Sequence, residues 1–199
     1  MTSITADQVK ELRERTGAGM MECKKALVEN GGDFDKAVDA LRKSGIAKAE
    51  KRADRAASEG RVESYIHPGY RVGVLIEVNC ETDFVARTDD FTGLVRDLAM
   101  QAAAAGAEFV RREDVPADRI AKEKEIFAAQ LANEGKPAAM IDKIVEGKLN
   151  KFYAEVCLLE QPFIKDDKTT IDALVKAASS KTGENIVVRR FARFKLGQE

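Results

Sequence analysis

The side chains that most often do covalent or metal chemistry are scarce in this chain. Its one histidine, His67, stands before Pro68, where a turn is expected. The cysteines Cys23, Cys80 and Cys157 are far apart, and neither a CxxC nor an HxxxH pattern occurs. We therefore predict that the chain is not an enzyme and holds no metal or cofactor. A small enzyme with Cys80 as nucleophile stays an alternative, and it would need His67 nearby and an activated thiol.

Patterns for binding phosphate groups are also weak. The sequence Gly17-Ala18-Gly19 lacks the preceding strand and the third glycine of a dinucleotide loop. No GxxxxGK[ST] pattern occurs, so direct binding of a nucleoside triphosphate is not expected. What remains are surfaces suited to a protein partner.

The most informative stretch covers residues 72–87, VGVLIEVNCETDFVAR. Its first half alternates between apolar and mixed positions, which predicts a strand with one buried face. The polar residues 81–83 then offer side chains that accept bonds from the free amides of a new helix. Phe84 falls in that first turn, so a large aromatic follows a carboxylate at a strand-to-helix corner. Either Thr82 and Phe84 only cap the helix and fill the core, or the corner meets a partner.

The elements that begin the chain are helical. A capping box at Thr5–Gln8 opens the first helix, and glycines at 17, 19, 31 and 32 separate it from two more. The third is expected to stop at Ser44-Gly45. We predict a three-helix bundle at residues 1–45 and an exposed, partly helical linker at residues 46–59.

Residues 60–199 are predicted to form a core of antiparallel sheet with packed helices, so the fold class is α+β. Strands are expected on both sides of a turn at residues 67–70 and again at residues 185–196, with Phe109-Val110 as a short edge strand. A helix follows the corner, and another precedes the last strand. Two long amphipathic helices within residues 116–161 predict a helical hairpin. In the last strand one face carries Ile186, Val188, Arg190, Ala192, Phe194 and Leu196.

Composition limits the possible partners. The 33 basic side chains nearly cancel the 34 acidic ones, so overall charge favours neither a nucleic-acid nor a membrane partner. The chain begins without a signal-peptide pattern and has no apolar run near the roughly 20 residues of a membrane helix. The few scattered cysteines are typical of reduced thiols. We expect a cytoplasmic protein with no membrane partner.

Three segments carry a resemblance to a known family. They are TGAGMMECKKAL at 16–27, VNCETDFVAR at 78–87 and GENIVVRR at 183–190. Together they resemble bacterial elongation factor Ts, in its short form, over essentially the whole chain. The resemblance implies a guanine-nucleotide exchange factor that acts on GDP-bound elongation factor Tu, with an N-terminal module similar to a ubiquitin-associated domain. It further implies that Thr82, Asp83, Phe84 and Val85 disturb the Mg²⁺ site of the partner. A second docking site is implied at Leu12, Thr16, Gly17, Ala18, Gly19 and Met20.

Two further expectations concern partners. Longer members of the family carry two similar core subdomains, whereas this chain has one set of core strands. Apolar residues on the second faces of the strands, namely Leu75, Val187 and Phe191, need cover. We therefore expect a homodimer, with the helical hairpin as a competing source of cover. An alternative function is an RNA-binding accessory module that uses the basic strips at residues 48–55 and 189–195.

Overall fold

The computed structural model describes residues 4–198, and within them the fold is α+β, as predicted. The helices are α1 (Ala6–Thr16), α2 (Met20–Glu29), α3 (Phe34–Glu50), α4 (Asp83–Ala86), α5 (Asp89–Ala105), α6 (Ala117–Asn133), α7 (Ala138–Val156) and α8 (Ile171–Thr182). The strands are β1 (Glu59–Ile66), β2 (Val72–Cys80), β3 (Pro162–Phe163), β4 (Asp166–Thr170) and β5 (Val187–Lys195).

Helices α1 to α3 form the predicted bundle. Thr5 and Gln8 make the capping box that opens α1. The helices bury a small shared core whose fully buried members are Leu12, Cys23, Leu27 and Ala37. A core this small gives little stability by itself, so further contacts are needed to hold the bundle.

Helix α3 does not stop at Ser44-Gly45 as predicted but continues to Glu50. Gly45 is buried, and a Cβ atom built there would lie 3.1 Å from Oγ of Ser180. The glycine therefore serves close packing against α8 and does not end the helix. The predicted linker is correspondingly shorter, because α3 includes residues 46–50 and β1 begins at Glu59.

The main sheet has the order β1-β2-β5. A turn after His67, with Tyr70 at φ 58°, joins β1 to β2 as predicted. Beyond β5, Leu196 donates its backbone N–H to the carbonyl of Arg71 at 2.8 Å. Six residues earlier in the chain Arg190 pairs with Glu77, six residues after Arg71, so β5 runs antiparallel to β2. The predicted burial of alternate residues in β2 is confirmed for positions 74, 76, 78 and 80.

The opposite face of this sheet is largely open. The bond between Leu196 and Arg71 sets a register in which Leu75 lies opposite Ala192. The next pair on the same face, Glu77 and Arg190, forms an ion pair of 2.7 Å. The exposed apolar side chains of this face are Val62, Ile66, Leu75, Phe194 and Leu196. The expectation of an uncovered face is thus right for β2. In β5, however, Val187 and Phe191 are half-buried. Exposed residues lie on both faces of this strand, with Arg189 and Lys195 on one and Arg190, Ala192 and Phe194 on the other.

Helices α6 and α7 form the predicted hairpin. Leu131 of α6 is buried together with Val145 and Leu149 of α7, and half-buried Phe127 packs against them. The predicted edge strand at Phe109-Val110 is wrong, since Phe109 makes only a single parallel bridge with Cys157. A small antiparallel pair, β3 and β4, was not predicted, because all five residues of β4 are polar.

The described chain consists of two compact units. The first contains the residues up to 61, then 79–94 and 173–187. The second contains 62–78, 95–172 and the residues from 188 onwards. The bundle and the strand-to-helix corner thus belong to the first unit, and the helical hairpin belongs to the second. The predicted domain boundaries at residues 45 and 59 stay a prediction.

Two helical glycines give a matched test of this packing. Gly147 lies exposed in α7, and a Cβ atom added there would meet no neighbouring side chain within 4 Å. We expect Gly147→Ala to raise the free energy of unfolding by about 0.5–1 kcal/mol, because alanine loses less backbone entropy on folding. Gly45→Ala should lower it, since the methyl group meets Ser180. Urea unfolding of both variants measures the difference, and equal stabilisation by both would contradict the packing role of Gly45.

Candidate partner-binding site

The corner after β2 has the predicted local structure. Cys80 ends the strand, and Thr82 takes the N-cap position of the four-residue helix α4. Its hydroxyl oxygen accepts a hydrogen bond from the backbone N–H of Val85 at 3.4 Å. The next helix, α5, is capped in the same manner by Thr88, whose hydroxyl accepts from the N–H of Phe91 at 3.2 Å. Two successive caps therefore fix the chain between β2 and α5.

A distant carboxylate holds this corner. Oε2 of Glu184 accepts the backbone N–H groups of Glu81 at 3.0 Å and Thr82 at 3.1 Å. Oε1 of Glu184 accepts the hydroxyl of Thr82 at 2.6 Å. In the opposite direction, the backbone N–H of Asn185 donates to Oε1 of Glu81 at 2.6 Å. The sequence pattern did not identify Glu184, because a contact across about a hundred residues has no local signal.

Phe84 does not fill the core. Its side chain is 81% exposed, although α4 carries it directly beside the capped corner. Asp83 is half-buried and forms an ion pair of 2.8 Å with Arg87, one helical turn further on. Val85 is half-buried. The corner therefore presents an aromatic ring to solvent from a firmly bonded backbone, which is the arrangement expected of a partner-binding surface.

The corner does not form a thiol active site. Cys80 is fully buried, and its Sγ donates to the carbonyl of Thr82 at 3.2 Å. Burial, together with the charge of Glu184, raises the pKa of the Cys80 thiol to about 11. The required partner, His67, lies beyond the other end of β2, where its N–H bonds to Val72. These observations contradict the alternative of a nucleophilic Cys80.

The second predicted site, after α1, combines buried and exposed residues. Leu12 is fully buried, and its carbonyl accepts the hydroxyl of Thr16 at 2.7 Å. Gly17 caps α1 with φ 69°, a conformation that favours glycine. Ala18 is half-buried, and Gly19 is the N-cap of α2. Met20 and the neighbouring Met21 are exposed, so they are the apolar side chains that this site offers to a partner.

Lys181 of α8 contacts the turn after α1 and the beginning of α5, both within the first unit. A Cβ built on Gly17 would lie 3.0 Å from Cδ of Lys181, so the lysine stem crosses the turn after α1. Its Nζ reaches Oδ1 of Asp90, at the beginning of α5, at 2.7 Å. The turn and the segment that follows the corner are thus tied to the same helix.

Several basic side chains of the two strips bond to other groups of the protein. Lys48 pairs with Glu22, and Arg55 pairs with Glu81 at 3.4 Å. Arg190 pairs with Glu77, while Arg193 bonds to the carbonyl of Ala103. The carboxylates of this chain that pair with the strips neutralise positive charge that would otherwise attract RNA phosphates. The strips therefore give the RNA-binding alternative little support.

Neither a metal site nor a membrane span emerges from residues 4–198. Their His, Cys, Asp and Glu side chains include no group of three or more that is suited to hold a metal ion. Among the helices in this range, none is both long and apolar enough to cross a membrane.

Comparison with known proteins identifies close relatives. A family model described as "Elongation factor TS" matches residues 4–198. A protein named Elongation factor Ts from Desulforamulus reducens is 61% identical over 198 residues, which is 100% of this chain and 91% of that protein. One of the same name from Moorella thermoacetica is 61% identical over 195 residues, covering 98% of this chain and 96% of the relative.

The buried thiol at the corner predicts a specific pH dependence of stability. Above its ordinary pKa of 9.0, Cys80 ionises in the unfolded chain but stays protonated in the folded one, because its folded pKa is about 11. The folded state then binds more protons, so stability falls as pH rises from 9 towards 11. Cys80→Ala should reduce the steepness of that fall. Urea unfolding at several pH values measures it, and an unchanged pH dependence in the variant would contradict the assignment.

Proposed function

The chain belongs to the elongation factor Ts family, a family of translation elongation factors, and from that membership we propose a specific activity. The protein is a guanine-nucleotide exchange factor that promotes release of GDP from elongation factor Tu. It acts on a protein partner in the cytoplasm, binds no nucleotide itself and needs no cofactor. The observation that carries the proposal is the exposed Phe84 on its hydrogen-bonded corner.

The corner acts as a wedge. A GTPase holds GDP through backbone amides around the phosphates and through Mg²⁺, whose charge dominates the local field. Thr82, Asp83, Phe84 and Val85 enter the partner beside that site, and the aromatic ring separates packed elements that carry the Mg²⁺ ligands. Because binding coupling is reciprocal, a factor that binds the distorted partner more tightly must weaken its hold on GDP.

The turn after α1 provides a second docking contact. Exposed Met20 meets another surface of the GTPase, together with the turn residues before it, Thr16, Gly17, Ala18 and Gly19. Leu12 supports this contact from within the bundle core, because its side chain is fully buried. Docking at two places leaves the wedge to act on a partner that is already held.

We further propose that the protein is a homodimer through the open face of the β1-β2-β5 sheet. Five large apolar side chains are exposed there, and the helical hairpin of the same unit leaves them uncovered. Apolar surface of this extent on a sheet is unusual unless a partner covers it. Glu77 and Arg190 place both signs of charge on the face, so two identical faces can meet without net repulsion.

The wedge predicts the effect of Phe84→Ala. The variant should lose roughly 30-fold or more of the stimulated GDP release, the effect of removing an interface hot spot of about 2 kcal/mol. Its free energy of unfolding should change by less than about 0.5 kcal/mol, because the ring is exposed. Release of a fluorescent GDP analogue from elongation factor Tu, together with urea unfolding, measures both quantities.

Two control variants accompany this measurement. Met140→Ala removes another exposed side chain, in the helical hairpin, and should leave exchange unchanged. Phe91→Ala removes a fully buried ring and should cost about 3–5 kcal/mol of stability. Normal exchange by folded Phe84→Ala protein would refute the wedge, and no stimulation by the wild-type protein would refute the exchange function.

The dimer predicts the effect of a charge on the open sheet face. Wild-type protein should sediment at twice 21.8 kDa at micromolar concentration. Leu75→Glu should sediment near 21.8 kDa, because the carboxylate would be buried without a partner at the interface. Ile126→Glu, at an exposed site on α6, serves as the matched control and should remain dimeric. A wild-type monomer at these concentrations would contradict the proposal.

A further inference from the structure

We propose that Glu184 is the residue that positions the wedge, an inference that rests on the proposed function. Its carboxylate accepts three hydrogen bonds, from the N–H groups of Glu81 and Thr82 and from the Thr82 hydroxyl, at 2.6–3.1 Å. Glu184 does not itself touch the partner in this proposal. It acts through Thr82, which begins the helix that carries Phe84.

The position of Phe84 depends on this cap because α4 is very short. A helix of one turn bears the cost of nucleation without gaining further bonds, so it forms only where its ends are held. Thr82 accepts the N–H of Val85 with the same oxygen whose proton it donates to Glu184. The carboxylate therefore orients the hydroxyl that starts α4. Bonds to an ionised acceptor are also stronger than bonds between neutral groups.

Glu184 is itself held in place. The hydroxyl of Ser179, in the last turns of α8, donates to the carbonyl of Glu184 at 2.6 Å. The next residue, Asn185, donates its N–H to the Glu81 carboxylate and its side-chain amide to the carbonyls of Ala53 and Arg55. The carboxylate of Glu184 thus accepts backbone N–H groups of residues 81 and 82, and the carboxylate of Glu81 accepts that of Asn185. The segment after α8 is a fixed support for the corner.

A positioning role differs from simple stabilisation in a measurable way. If Glu184 only stabilised the fold, its loss would lower exchange in proportion to the folded fraction. If it positions the wedge, fully folded variant protein is defective in the exchange step itself. The concentration that gives half of the maximal rate should then change little, since the N-terminal docking contact remains.

The experiment measures GDP release from elongation factor Tu over a range of concentrations of each variant. Glu184→Ala removes all three hydrogen bonds and should lower the maximal rate at least tenfold, roughly the effect of losing a single charge-assisted hydrogen bond. Glu184→Gln keeps the shape and part of the bonding, so it should lie between Glu184→Ala and the wild type. Glu146→Gln, at an exposed site on α7, is the matched control and should match the wild type. Thermal unfolding establishes that each variant is folded at the assay temperature.

A double-mutant cycle with Phe84→Ala gives the decisive result. If Glu184 acts through the ring, adding Glu184→Ala to Phe84→Ala should lower the rate no further. Losses that multiply, or a normal maximal rate in folded Glu184→Ala, would overturn the positioning role while leaving the exchange function intact. If Glu184→Ala does not fold, Glu184→Gln decides by the same criteria. Failure of the wild-type protein to stimulate release would instead overturn the exchange function, and this role with it.

Discussion

The first unit depends on satisfying the backbone amides at the corner between β2 and α4. Cys80 is fully buried, and the residues after it have left the strand but have not yet entered a helix. Buried amides without partners are costly, so a partner must come from elsewhere in the chain. Glu184 provides it and in doing so fixes Thr82. A residue near the end of the chain is thereby bonded to the segment that carries the exposed ring of Phe84.

The end of α8 supports more than the corner. Ser180 packs against Gly45 of α3, and Lys181 crosses the turn at Gly17. Lys176 adds an ion pair of 3.2 Å with Glu50. These contacts stabilise the bundle, whose small core gives little stability by itself. They also explain why Gly17 and Gly45 are small, since α8 occupies the space that a side chain would need.

The sequence alone predicted the elements whose signals are local. Capping by Thr5 and Thr82, the alternation in β2 and the long helices of the hairpin depend on neighbours a few residues apart. Three features required distant contacts. Gly45 could mark a helix end or a close approach, and only the position of Ser180 distinguishes them. Both faces of β5 carry apolar residues, so its pattern could not show which face is buried. Glu184 gave no sign of its role, since its partners lie about a hundred residues earlier.

The ring of Phe84 and the open sheet face pose different physical problems. Phe84 is a single ring that a short helix presents to solvent. The open sheet face is extended, spans three strands and is bordered by the edge strands β1 and β5. Such a face invites uncontrolled association unless a specific partner covers it. In the function that we propose, the sheet needs a cover at all times, whereas the ring meets a partner only during nucleotide exchange. That difference is why we assign the sheet to a permanent second copy and the ring to a transient partner.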